Sequence, residues 1–181
     1  MSIELARLLV KYGVVKFGDF TLSSGIRSKY YIDMRMAISI PEVYKPIIEE
    51  LARRVGNGVD LVAGIESGSI PWASMLAYRL GKGALYVRRA EKSHGTGRRV
   101  EGYYKGGEGI LLIDDVVTTG GTILDSARAL ENNGLRVVEV AVIIDRLEGG
   151  LNAIRGAGYR AWSLLTVKDL FNAMGISNAA Q

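Results

Sequence analysis

From residue 61 onward, runs rich in Val, Ile and Leu recur along the chain: LVAGI (61–65), ALYVRR (84–89), GILLIDDV (109–116), VVEVAVIID (137–145) and YRAWSLLT (159–166). Their apolar residues follow one another without a regular polar alternation, so each predicts a strand buried on both faces. Helical stretches lie between them: Pro71 can open a helix through Leu80, and a second helix is predicted over 122–130. Strands alternating with helices predict a parallel sheet covered on both faces. Upstream, Ile3, Leu5, Ala6, Leu8 and Leu9 suit a short amphipathic helix stopped near Gly13. Residues 14–34 hold short β-like pieces, VVKF, FTL and YYIDM, broken by SSG. Ser39 with Glu42 resembles a capping box ahead of the pattern Val43, Ile47, Ile48, Leu51, Val55, and Pro46 inside that pattern predicts a kink or a later start.

Parallel sheets bind ligands at the carboxyl ends of their strands. The chemistry-bearing residues of this chain fall there, at 66–68, 88–89, 114–121 and 145–146. The most informative stretch is GILLIDDVVTTGGTIL (109–124). Two carboxylates, Asp114 and Asp115, end a buried run, and a loop of hydroxyls and glycines leads into a helix. Backbone N–H groups, Thr118 and Thr119 hydroxyls and the positive helix end together form an anion cradle. The acids would repel a phosphate and suit sugar hydroxyls or a magnesium ion beside it. Phosphate on one side and a diol on the other describe a ribose 5-phosphate. The alternative, two Asp residues that merely cap a turn, explains a lone acid pair better than it explains this whole pattern. No G-x-x-x-x-G-K-[ST] occurs, which excludes a Walker-type nucleotide site.

Composition narrows the class further. A chain of 181 residues with 48% hydrophobic content predicts one domain with a proper core, and 23 glycines predict several tight loops. There is no cysteine, so neither disulfides nor thiolate metal sites are available, and the single histidine, His94, argues against a zinc centre. The net charge of +4 and a pI near 9.3 suit nucleic acid or a phosphorylated small substrate. No apolar run is long enough to span a membrane, and the first residues lack the layout of a signal peptide, so a cytoplasmic protein is expected. The segment VRRAEKSHGTGRRVEG (87–102) is basic, laced with glycine and too polar for a core. It suits a lid over a pyrophosphate, with a solvated hairpin arm as the plainer alternative.

The stretch 109–124 resembles the signature of the type I phosphoribosyltransferases, which use phosphoribosyl pyrophosphate (PRPP). Three further stretches resemble the orotate branch of that family: FGDFTLSSGIRSKYYIDMR (17–35), with its F-x-L-x-S-G and S-x-Y-Y; the K-x-H-G-x-G of residues 92–97; and VIIDRLEGG (142–150), with D-R-x-E-G. The likeness runs from about residue 12 to residue 166. It implies an α/β type I phosphoribosyltransferase fold: a central, mostly parallel five-stranded sheet flanked by helices, a single domain over 1–181 and a small N-terminal hood from 1–35. It implies transfer of 5-phosphoribosyl from PRPP to orotate, giving orotidine 5′-monophosphate and pyrophosphate for pyrimidine synthesis. Catalysis would fall to Lys92, His94 and Asp115. PRPP would be held by Arg88, Arg89, Lys92, His94, Asp114, Asp115, Val116, Val117, Thr118, Thr119, Gly120, Gly121 and Thr122. Orotate would be held by Thr118, Arg146, Ser24, Gly25 and Tyr31, with the Arg146 guanidinium on its carboxylate. An Arg146 that simply pairs with Asp145 or Glu148 is the plainer alternative. GIESGSIP (64–71) would be the pyrophosphate loop. Mg²⁺ is the implied cofactor, carried by PRPP, with no direct protein ligand required and Asp114 or Asp115 reaching it through water. The implied assembly is a homodimer in which a lid of residues 90–105 reaches the neighbouring active site, with no membrane and no nucleic-acid partner. The chain departs from many relatives at Ser23 and Gly68, where lysines are frequent, and at Arg89, a lid position often held by lysine. Two other functions stay open: a phosphoribosyltransferase for another base, and a regulator that binds nucleic acid and senses PRPP.

Overall fold

Ile110, Leu111, Leu112 and Ile113 are all fully buried, as a strand packed on both faces requires. The computed structural model, which describes residues 2–21, 27–89 and 99–176, places them at the centre of a sheet. Along the chain the elements are α1 (Ser2–Lys11), β1 (Val15–Thr21), β2 (Arg27–Ile32), α2 (Met34–Ala37), α3 (Pro41–Arg54), β3 (Leu61–Ile65), α4 (Ile70–Leu80), β4 (Gly83–Val87) and β5 (Val100–Glu101). There follow β6 (Gly109–Val117), α5 (Gly121–Asn132), β7 (Arg136–Asp145), α6 (Gly150–Gly156), β8 (Ala161–Thr166) and α7 (Val167–Ala173).

The main sheet has the order β5-β4-β3-β6-β7-β8. Its five long strands, the five that the apolar runs predict, are mutually parallel. A sixth, β5, adds antiparallel to β4 through Tyr86↔Glu101 and Val87↔Val100. Two residues of strand leave no periodicity to read, which is why the pattern of apolar positions does not reveal it. Alternate side chains divide the core. Val62, Leu111, Ile113, Ala141 and Ile143 pack with α1, α3, α4 and α7 on one face. Ala63, Ile65, Ile110, Leu112, Val140 and Val142 pack with α5 and α6 on the other.

The strand order has a consequence for function. After β3 the chain crosses to β4 through α4 on one face, whereas after β6 it crosses to β7 through α5 on the opposite face. The loops that leave adjacent β3 and β6 therefore diverge and open a crevice at their carboxyl ends, the topological switch point where doubly wound sheets bind ligands.

The β-like pieces of 14–34 form a separate antiparallel pair, β1 with β2, in the register Val15↔Ile32 and Thr21↔Arg27. Around α3 the structure corrects two expectations. The helix starts at Pro41, whose ring presets φ for the first turn, so the N-cap is Ile40 and the Ser39–Glu42 capping box is not made. Pro46 does not delay the start, because one helix runs through it from Pro41 to Arg54.

Candidate active site

The acids of β6 stand at the crevice because its buried run carries them to the sheet edge. Both are largely withdrawn from water. Burial first, then the charge of Asp115, pushes the Asp114 carboxyl up to about 7. Burial also raises Asp115; the Val116 N–H and the hydrogen bond with Asp114 oppose that rise, and the Arg35 guanidinium adds a smaller opposition. Ser69, in the loop between β3 and α4, donates its hydroxyl to Asp114 Oδ1. The Asp115 N–H lies 3.2 Å from Ser69 Oγ and 3.0 Å from Asp114 Oδ1, and the Val116 N–H donates to Asp115 Oδ1 at 2.9 Å. Gly68 packs so close that a Cβ there would stand 2.6 Å from Asp115 Oδ2.

Beyond the acids the chain turns into α5 through Gly120, whose φ of 83° favours glycine. No side chain among the described residues caps this helix, and its first residues line a small cavity of about 40 Å³. Asp114 and residues 116–123 line it. The loop rests on the start of α6: a Cβ on Gly150 would collide with Thr118 O and meet Val117 Cγ2 at 2.5 Å. The Arg146 N–H donates to Val117 O at 3.1 Å, so the ends of β6 and β7 are stitched together.

A second cleft, of about 250 Å³, opens alongside, lined by residues 31–35, Asp115, Val116 and Arg146. Asp145 is buried and turns the chain by accepting the Leu147 N–H at 2.8 Å. Arg146 then lies with its guanidinium carbon 4.7 Å from the centre of the Tyr30 ring and its Nε 2.7 Å from Glu148 Oε1. The ion pair of the plainer alternative is therefore present. A guanidinium with five donors can hold Glu148 and still present a fork to the cleft. Tyr31, half-exposed, packs against Phe20 with ring centroids 5.7 Å apart.

On the β4 side, Arg88 and Arg89 mark where the basic segment leaves the sheet. The Arg88 N–H donates to Arg99 O at 2.8 Å, and Arg99 forks onto Asp125 of α5 at 2.6 and 3.3 Å. Arg89 is tied to the loop after β3: its N–H donates to Glu66 Oε2 at 3.2 Å and its Nε to Glu66 O at 2.9 Å. Glu66 thus turns toward Arg89. Of the lid span 90–105, residues 90–98 lie outside the described residues, while 99–105 include β5 and the turn after it.

This arrangement has known counterparts. The phosphoribosyl transferase domain family matches residues 29–156. The orotate phosphoribosyltransferase of Pyrococcus abyssi is 41% identical over 180 residues, covering 98% of this chain and 99% of that protein. The chain belongs to the orotate phosphoribosyltransferases. The crystal structure of the orotate phosphoribosyltransferase from Aeropyrum pernix superposes with a TM-score of 0.86 at 40% identity, covering 94% of this chain and 98% of that one. The Mycobacterium tuberculosis orotate phosphoribosyltransferase in complex with PRPP does so at 0.75 and 30% identity, covering 93% and 98%.

Within this orotate phosphoribosyltransferase chain most of the described site residues fall into two groups joined at Val116, which lines both cavities, whereas Arg88 and Arg89 line neither. Asp114 and residues 117–122 line the smaller one; Tyr31, Asp115 and Arg146 line the larger. Thr118, read as touching both ligands, lines only the smaller cavity. Ser24, Gly25, Lys92 and His94 lie outside the described residues. Tyr30, Arg35, Ser69 and Gly150 lie within the quoted motifs, yet the motifs alone do not single them out. The adjacent pair Tyr30–Tyr31 was a usable signal for the first. The others act on partners distant in the chain, which no local pattern announces.

Proposed function

We propose that the protein transfers the 5-phosphoribosyl group of PRPP to N1 of orotate, releasing pyrophosphate and orotidine 5′-monophosphate in pyrimidine synthesis. The observation that carries this reading is that the two cavities adjoin at the end of β6, where Val116 lines both. An anion-sized cavity at the start of a helix without a side-chain cap adjoins a cleft lined by a guanidinium and a tyrosine, with one carboxylate lining each. In this reading the loop 116–122 takes the 5′-phosphate, Asp114 and Asp115 take the ribose hydroxyls, and Arg146 with Tyr31, Ser24 and Gly25 takes orotate. The C1–O bond to pyrophosphate breaks with its electron pair on the leaving group. A C1–N1 bond forms as N1 gives up its proton. Prepositioned cations lower the cost of charge on pyrophosphate, the role assigned to Arg88, Arg89, Lys92 and His94. Two part-buried carboxylates with raised proton affinity are hard oxygen donors in need of positive charge, which fits Mg²⁺. Asp114 and Asp115 would hold the ion through water, and it would neutralise the pyrophosphate. A homodimer whose lid completes the neighbouring site, and a cytoplasmic location, belong to the same reading. No helix among the described residues is long and apolar enough to cross a membrane.

The test is an acceptor panel. With PRPP and magnesium, turnover is expected with orotate and not with uracil, adenine or hypoxanthine. Turnover of another base in preference to orotate would overturn the acceptor assignment. Salt-sensitive nucleic-acid binding without turnover would favour a regulator.

A further inference from the structure

Serine ahead of a helix ordinarily turns its hydroxyl onto the N–H groups of the first turn. Ser69 precedes α4 in this way and makes no such bond. It is only 1% exposed, and its backbone is fixed: its N–H donates to Ile65 O at 3.2 Å, and its carbonyl accepts from the Ala73 N–H at 2.9 Å. It also packs on β3 so tightly that a Cβ on Gly64 would stand 2.6 Å from Ser69 O. The hydroxyl crosses instead to β6. There it donates to Asp114 Oδ1 and lies 3.2 Å from the Asp115 N–H. Neighbouring Gly68 closes on Asp115 Oδ2. The loop after β3 therefore braces both acids, across the crevice where the sheet changes direction.

We propose that Ser69 is a positioning residue for PRPP: its hydroxyl, given up by its own helix, fixes the Asp114 carboxyl and through it the backbone of Asp115. Asp114 is then held against the phosphate-loop cavity while Asp115 faces the wider cleft. The inference rests on PRPP being the ligand of the acid pair. It adds that the loop assigned to the pyrophosphate also sets the ribose contacts, through one hydroxyl.

Calorimetric titration with PRPP in magnesium buffer, joined to steady-state kinetics, tests it on wild type, S69A and S69T. S69A is expected to bind PRPP about ten- to hundredfold more weakly, the scale of losing a hydrogen bond to a carboxylate. Its KM for PRPP rises while its KM for orotate stays near the wild-type value, a split that a merely loosened fold would not produce. S69T, which keeps the hydroxyl, recovers most of the loss. PRPP binding by S69A equal to wild type overturns the proposal alone, as does an equal rise in both KM values at an unchanged melting temperature. Wild-type protein that binds no PRPP overturns the proposal together with the functional reading beneath it.

Discussion

Asp114→Asn offers a test of the acid pair that needs no substrate. In the folded chain the Asp114 carboxyl is raised from its ordinary 3.8 to about 7, chiefly by burial and secondly by the charge of Asp115. The folded state thus holds a proton that the unfolded state has released, so stability falls as pH rises through the window between those two values. One pKa unit corresponds to about 1.4 kcal/mol. Most of the interval from pH 5 to pH 8 lies below the folded value, so that change is expected to remove about 2–3 kcal/mol from the ligand-free protein. Asp115 is raised in the same sense by burial, partly offset by hydrogen bonds from the Val116 N–H and with Asp114. Glu49, Glu108 and Asp125 are held below their ordinary values and act at lower pH, outside this window. Asparagine at 114 has no proton to lose, so its pH-dependent loss is expected to be clearly smaller than that of the wild type. Urea denaturation followed by circular dichroism, at several pH values without PRPP or magnesium, reads the difference directly. Equal wild-type stability at pH 5 and pH 8, or an Asp114→Asn slope as steep as wild type, would show that Asp114 does not hold this proton.

Two substitutions probe other parts of the site. Arg146→Lys loses the planar fork and its stacking over Tyr30, so the KM for orotate is expected to rise about tenfold or more while the KM for PRPP holds; steady-state kinetics with each substrate varied will show whether it does. Gly150→Ala drives a methyl group into Thr118 O and Val117 Cγ2, overpacking the loop by about 1–3 kcal/mol, so melting temperature and PRPP affinity should fall together.

The long parallel strands were legible because burial on both faces writes itself as unbroken apolar runs, as in Ile110, Leu111, Leu112 and Ile113. β5 was not, since Val100 and Glu101 owe their strand to pairing with Tyr86 and Val87 rather than to any pattern of their own. The Ser39–Glu42 box failed because Pro41 dictates the first helical position, a local constraint stronger than a hydroxyl's preference. The acid pair and phosphate loop were readable because strand, carboxylates, glycines and helix are contiguous in the chain. Ser69 and Gly150 acquire meaning only when the sheet brings β3 and β7 beside β6, and neither residue type nor spacing signals that beforehand. Tyr30 stood in plain view beside Tyr31. Its partner Arg146, more than a hundred residues away in the chain, is what makes it part of the site.

The most direct test of the central claim is to mix the protein with PRPP, magnesium and orotate and follow orotate's ultraviolet absorbance. A fall that requires all three components and yields pyrophosphate in step is expected. Absorbance that stays constant over a range of temperatures, with the protein shown to be folded, would contradict it.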